Sequence, residues 1–169
     1  DKNPEEFFAA LEAVAERGAP FRLAVLGPAP RGYPAVFERI RQRFADRLVH
    51  FGHAEHFADY AAWLWRADVL PVTSHHDFFG MSVMEALYCR TLPLLPRRMA
   101  YPEILPEPWR ATALYDSFEE LVERLHTLLA GPRPDPGPLA AHAAGYDWSR
   151  MVPHYDAAFE ALAAGSSAP

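Results

Sequence analysis

The sequence predicts a doubly wound α/β domain with a Rossmann-like parallel sheet, and three observations support this fold class. Short apolar runs typical of buried strands alternate with segments of helical periodicity along most of the chain. Glycine and proline stand at the junctions between these segments, as in Gly27-Pro28. The apolar run at residues 69–72 (VLPV) leads through a polar loop into a helix, which is how the ligand edge of such a sheet is built.

The first helix is expected over residues 4–17. Pro4 and the acidic Glu5 and Glu6 suit a first turn, apolar residues recur at helical spacing, and Gly18 ends the pattern. The same reasoning gives the other elements. Strands are expected over residues 21–26, 48–51, 68–73, 91–95 and 113–115, and helices over residues 34–44, 57–66, 82–88 and 117–129.

The stretch at residues 131–138 (GPRPDPGP) interrupts the periodicity and is expected to be a surface linker. It separates a partial α/β domain, residues 1–130, from C-terminal helices of the same domain, residues 139–169. One of these helices is expected over residues 151–162, followed by a frayed end.

Two carboxylates, Asp77 and Glu85, lie eight positions apart around the junction between a strand and a helix. The backbone N–H groups at the start of that helix, those of Gly80, Met81 and Ser82, would point at the ligand edge of the sheet, where an anion can bind. The pattern therefore predicts a site for a nucleoside diphosphate. The alternative is a helix start that only packs on the sheet.

Composition limits the class of function. The chain has 169 residues, of which 50% are hydrophobic, and a formal net charge of −6. This charge disfavours nucleic-acid binding by the domain itself, and the arginines at residues 39–47 are interpreted as a solvated helix face. No apolar run approaches the length of a membrane span, and the single Cys89 suits a reducing compartment. We expect no membrane contact and a cytoplasmic location.

Four short strings occur in one order: residues 1–8 (DKNPEEFF), 49–52 (VHFG), 77–80 (DFFG) and 101–104 (YPEI). With the paired acids, these strings resemble the C-terminal domain of the family-4 retaining glycosyltransferases of the GT-B fold. They are most similar to those of the tRNA-queuosine mannosyltransferases and their bacterial relatives. The resemblance extends over about residues 1–106.

The resemblance implies roles for individual residues. Glu85 would accept hydrogen bonds from the ribose hydroxyls, and Asp77, which stands where the family has Glu, would be the catalytic residue that contacts the donor sugar. Lys2 would neutralise the diphosphate, and His53 would line the nucleobase pocket. The donor-binding residues expected in this way are Lys2, His53, Phe79, Gly80, Met81, Ser82 and Glu85.

Each carboxylate has an open question. Asp77 precedes a helix, so it could instead be an N-cap or the acceptor of an Asx-turn. Glu85 lies between Met81 and Met84, where an unpaired charge would be costly, so a partner is expected. Several histidines fall near strand ends, but their spacing matches no common zinc pattern, and we expect no metal.

The resemblance also places a strand and an arginine before Asp1, at the centre of the sheet order 3-2-1-4-5-6. This first strand is missing from the sequence, so we expect a gap in the sheet. We also expect the 169-residue chain alone to be inactive as an enzyme.

The function implied is transfer of a hexose, with retention, to an acceptor hydroxyl. The resemblance points to mannose from GDP-mannose as donor, without a cofactor, and to queuosine in tRNA as acceptor. An N-terminal domain absent from the chain would then hold the RNA. Two alternatives remain: the same chemistry on a small glycan or lipid acceptor, and a nucleotide-binding module without transferase activity.

Overall fold

The computed structural model describes residues 1–28 and 35–165, which form an α/β fold with helices on both faces of parallel strands. The strands are β1 (Leu23–Leu26), β2 (Leu48–Gly52), β3 (Val69–Pro71), β4 (Leu92–Pro96) and β5 (Leu114–Tyr115). The first helices are α1 (Pro4–Glu16), α2 (Ala35–Arg43), α3 (Phe57–Arg66) and α4 (Met81–Tyr88). They are followed by α5 (Tyr101–Ile104), α6 (Glu107–Ala113), α7 (Phe118–Ala130), α8 (Gly137–Ala143) and α9 (Trp148–Ala163).

The expected fold class is confirmed, and the differences lie mainly at element ends. Helix α3 has the expected limits, and most other boundaries move by one to three residues. The short helices α5 and α6 were not expected, since no helix was predicted between residues 95 and 113. Each of these helices has proline in its first turn, where the missing N–H breaks no helical bond. Pro34, expected to begin the second helix, lies outside the described residues.

All strand pairs are parallel, and they form two sheets. One has the order β1-β2 and the other the order β3-β4-β5. Residues of β1 and β3 line a common cavity of about 640 Å³, which we call the slot. Phe7 and Leu11 of α1 and Leu125 and Leu129 of α7 contribute further apolar walls. The expected gap is therefore confirmed, and it falls between the strands that correspond to positions 2 and 4 of the order 3-2-1-4-5-6.

Strand β4 packs against helices on both of its faces. Neighbouring side chains of a strand point to opposite faces, so Leu94 and Leu95 enter different clusters. Leu94 packs with buried residues of α1 and α7, and Leu95 packs with those of α4 and α5. Every residue of β4 is buried, as in a central strand covered on both faces.

The C-terminal part differs from expectation in two places. Helix α8 begins at Gly137, inside the segment expected to be the linker, because Pro138 suits the first turn and Asp135 accepts a hydrogen bond from the Gly137 N–H at 3.1 Å. Helix α9 begins at Trp148, three residues before the expected start, because Asp147 caps it by accepting from the Ser149 N–H at 2.8 Å. Within residues 1–28 and 35–165, no helix is both long and apolar enough to cross a membrane.

Candidate functional site

The candidate site lies where β3 ends and the chain turns toward α4. The first three residues of the sequence are tied to this turn. Thr73 is buried, and its hydroxyl donates to the carbonyl oxygens of Lys2 at 3.1 Å and Asn3 at 2.8 Å. The His75 N–H donates to the carbonyl oxygen of Asp1 at 2.8 Å. These bonds place Lys2 beside the motif, although the two segments are about 70 residues apart in sequence.

Asp77 is the centre of a hydrogen-bond network. Its Oδ2 accepts from Lys2 Nζ at 2.9 Å and from the Tyr101 hydroxyl at 3.2 Å, and its Oδ1 accepts from the Gly80 N–H at 3.0 Å. The Asp77 side chain is 16% exposed, whereas the Lys2 side chain is 68% exposed. Partial burial raises the pKa of Asp77, but the bonds and the charge of Lys2, with the donors Gly80 and Tyr101, outweigh it and leave the pKa lowered.

The start of α4 depends on Gly80. This residue has φ 79°, in the left-handed region, and it is buried against Tyr101 and Ile104. The first helical hydrogen bonds run from Val83 and Met84 to the Gly80 carbonyl. The N–H groups of Met81 and Ser82 precede these bonds, so they have no acceptor within the helix and can receive an anion.

We expect Gly80→Ala to lower the free energy of unfolding by about 1–2 kcal/mol, because an L-residue is strained in the left-handed region. The added Cβ would also lie 3.4 Å from side-chain atoms of Tyr101 and Ile104. Urea denaturation measures the change. Gly145→Ala is the matched control, since a Cβ there meets nothing within 4 Å, and equal losses for both variants would contradict the expectation.

Glu85 has the partner that its position required. Its Oε2 accepts a hydrogen bond from the Tyr60 hydroxyl of α3 at 2.7 Å. Burial, followed by this bond and the charge of Glu85, raises the pKa of Tyr60, so the phenol stays protonated and donates. Glu85 itself is half-buried.

Tyr60 also lines a cavity of about 370 Å³ together with His53, Phe57 and the turn at Gly27 and Pro28. The cavity lies at the carboxyl ends of β1 and β2, and its lining is largely apolar. It can accept a flat aromatic group such as a nucleobase. Since Tyr60 both lines this cavity and bonds to Glu85, the cavity and the second carboxylate belong to one site.

Phe79 has a different neighbour. Its ring centroid lies 5.8 Å from that of Tyr146, which follows α8. His142 of α8 is in contact with the Tyr146 ring, and its Nε2 lies 2.9 Å from the Ile104 carbonyl oxygen. Helix α8 and the turn that follows it are thus packed near the motif loop.

The structure brings the predicted residues together in two groups. Lys2, Asp77 and Gly80 are joined by direct hydrogen bonds. Glu85 is bonded to Tyr60, which lines the same cavity as His53. Sequence reasoning missed the residues that make these links, Thr73, Tyr60 and Tyr101. A tyrosine in an apolar helical pattern carries no sequence signal of which carboxylate its hydroxyl reaches. In the described part of the chain, no group of three or more His, Cys, Asp or Glu side chains is arranged to hold a metal ion.

The chain is similar in sequence to known proteins over most of its length. Residues 1–131 match the family model described as "Glycosyl transferases group 1". The tRNA-queuosine alpha-mannosyltransferase of Drosophila melanogaster is 32% identical over 133 residues, which are 79% of this chain and 34% of the fly enzyme. The chain therefore spans about a third of the length of that relative.

Solved structures show the same fold. AviGT4, a glycosyltransferase involved in avilamycin A biosynthesis, superposes with a TM-score of 0.62 at 17% identity, over 94% of this chain and 48% of its own. The C-terminal domain of a group 1 glycosyl transferase, LpcC from Francisella tularensis, superposes with a TM-score of 0.59 at 18% identity, over 91% of this chain and 80% of its own. At these identities the similarity concerns the fold alone.

Proposed function

Because this chain belongs to the group 1 glycosyl transferases, we propose that it is the donor-binding part of a retaining hexosyltransferase that uses GDP-mannose. One observation carries the proposal: each of the paired acids accepts a hydrogen bond from a tyrosine hydroxyl, with a cation beside Asp77 and an aromatic-sized cavity beside Tyr60, the donor to Glu85. A nucleoside diphosphate sugar has the matching order of groups, namely base, ribose, diphosphate and hexose.

Each part of the donor has residues that suit it. The base fits the cavity that His53 and Tyr60 line, and the ribose hydroxyls donate to Glu85. The diphosphate is met by the Lys2 ammonium and by the N–H groups of Met81 and Ser82 at the start of α4. Asp77 then lies on the hexose side of the diphosphate. The aromatic Phe79, two residues after Asp77 in the loop, borders the same ligand.

The reaction follows from this placement. The bond between the hexose C1 and the diphosphate oxygen breaks, and GDP leaves with the electron pair. A new bond forms between C1 and the oxygen of the acceptor hydroxyl, whose proton passes to the departing diphosphate. Lys2 and the helix start stabilise the negative charge that develops on the departing diphosphate, and this lowers the barrier. The step needs no metal ion and no other cofactor.

For the acceptor we propose queuosine in tRNA, which the similarity to the fly enzyme supports. A net charge of −6 gives this domain little attraction for phosphates, so the RNA would be held by another part of the protein. An acceptor of this kind implies action in the cytoplasm. The chain spans about a third of its relative, and whole-enzyme activity is assigned to the longer protein.

We expect GDP to bind more tightly than UDP, because the proposed donor carries guanine. Isothermal titration of the protein with GDP, UDP and guanosine gives the comparison, and transfer of radiolabelled mannose to queuosine-containing tRNA tests the reaction. A preference for UDP of tenfold or more would contradict the mannose assignment. Binding of GDP without any transfer by the complete protein would instead support a nucleotide-binding module.

A further inference from the structure

Tyr101 links the buried core of the protein to Asp77 in the candidate site. It begins helix α5, and its side chain is fully buried in the cluster that also holds Leu95 and Ile104. Only its hydroxyl reaches a charged group, the Asp77 carboxylate at 3.2 Å. A ring carbon of Tyr101 lies 3.4 Å from the position that a Cβ on Gly80 would occupy, so the same side chain lies near both ends of the loop segment from Asp77 to Gly80.

The hydroxyl is a donor under ordinary conditions. Burial, only partly offset by a hydrogen bond with the buried Ser74 and reinforced by the nearby charge of Asp77, raises the pKa of Tyr101 to about 12. The proton therefore stays on the phenol at neutral pH. A buried ring has few alternative rotamers, so the direction of this donor is fixed by packing.

Lys2 is held differently. Its backbone is fixed by Thr73, but its side chain is mostly exposed, and Asp77 is its hydrogen-bond partner. A long exposed lysine side chain loses considerable rotamer freedom when its ammonium group binds a ligand. A rigid carboxylate beside it reduces that loss by limiting its positions before the ligand arrives.

We propose that Tyr101 is a positioning residue for donor binding: its buried hydroxyl orients the Asp77 carboxylate, which in turn holds the Lys2 ammonium beside the start of α4. This inference rests on the proposed function for its ligand, a nucleoside diphosphate, but the hydrogen-bonded chain itself exists without ligand. Tyr101 touches no part of the donor in this arrangement. Its effect on binding passes through Lys2.

The first test needs no ligand. In Tyr101→Phe, the Asp77 carboxylate loses a donor, so the pKa of Asp77 should rise above its wild-type value, as followed by NMR of carboxyl-labelled aspartate. Tyr115→Phe is the matched control, because this buried tyrosine donates to the backbone carbonyl of Val72 at 2.7 Å rather than to a carboxylate. If Asp77 titrates identically in wild type and Tyr101→Phe, the proposal is overturned.

The second test is a double-mutant cycle on GDP affinity with Tyr101→Phe and Lys2→Met. Loss of the hydroxyl should weaken GDP binding by about 3- to 10-fold, the range for one hydrogen bond of modest net strength. In the Lys2→Met background the same change should have less than about a twofold effect, because the positioned group is gone. Guanosine, which has no diphosphate, should bind both proteins equally.

The outcomes are distinct. An equal loss of GDP affinity with and without Lys2 would assign Tyr101 a general role in folding and overturn the positioning role. A wild-type protein that binds no nucleoside diphosphate would contradict the proposed function. In that case the titration of Asp77 still decides whether Tyr101 positions it.

Discussion

Asp77→Ala should lower the rate of hexose transfer by on the order of 100-fold, since misplacement of reacting groups by about 1 Å can have that effect. The variant removes the acceptor for Lys2, Tyr101 and the Gly80 N–H together. GDP affinity should fall much less, because the helix amides, Glu85 and the base cavity remain. Single-turnover transfer assays on the complete enzyme, with calorimetry of GDP binding, measure the two effects separately.

One further variant, Asp77→Asn, separates the roles of Asp77. Asp77→Asn keeps an oxygen for the Gly80 N–H but has no charge for Lys2. If Asp77 only closes the loop, Asp77→Ala should lose about 1 kcal/mol of stability, and Asp77→Asn should restore both stability and transfer. If its charge matters, Asp77→Asn should be stable and still slow. Full turnover by a stable Asp77→Ala protein would remove Asp77 from the catalytic site.

Glu85→Gln should weaken GDP binding by on the order of 10- to 100-fold, because a charge-assisted bond contributes about 1.5–3 kcal/mol. The amide can still accept from the Tyr60 hydroxyl, so the fold should persist. Calorimetry gives the affinity, and thermal denaturation checks that the melting temperature is close to that of wild type.

Glu16→Gln is the matched control for this change. Glu16 is exposed at the end of α1, and that helix is about 20 Å long at 1.5 Å per residue, which places Glu16 far from Lys2. It should bind GDP like the wild type. If Glu85→Gln also binds GDP normally, or if it unfolds, the role of Glu85 is structural and the ribose assignment fails.

Much of this fold could be predicted because local patterns dictate it. Strand β4 is an uninterrupted apolar run, and α3 has helical periodicity between clear ends, so both were expected close to their observed positions. The short helices α5 and α6 could not be predicted in the same way. Each is too short to show a period, and their prolines are compatible with either a loop or a first turn.

The site was predictable in its residue types but not in its connections. The spacing of Asp77 and Glu85 and the glycine before α4 predicted a ligand edge, and the resemblance added Lys2 and His53 to the expected donor-binding residues. The links made by Tyr60 and Tyr101 depend on how α3 and α5 pack against the motif, which is a property of the whole fold. A hydroxyl that bridges distant segments leaves no periodic trace in sequence.

The slot between β1 and β3 has a consequence for how assembly and ligand binding influence each other. Phe7 and Leu11, which line the slot, belong to the helix that begins two residues after Lys2. A β-strand that pairs into the slot would fix the position of this helix. It would thereby also fix the backbone of Lys2, from which the side chain extends. If filling the slot tightens donor binding in this way, bound donor must favour filling of the slot by the same free energy, since such coupling is reciprocal. Pairing of a strand into the slot and binding of the donor would then be coupled in one thermodynamic cycle, and α1 would be the element that couples them.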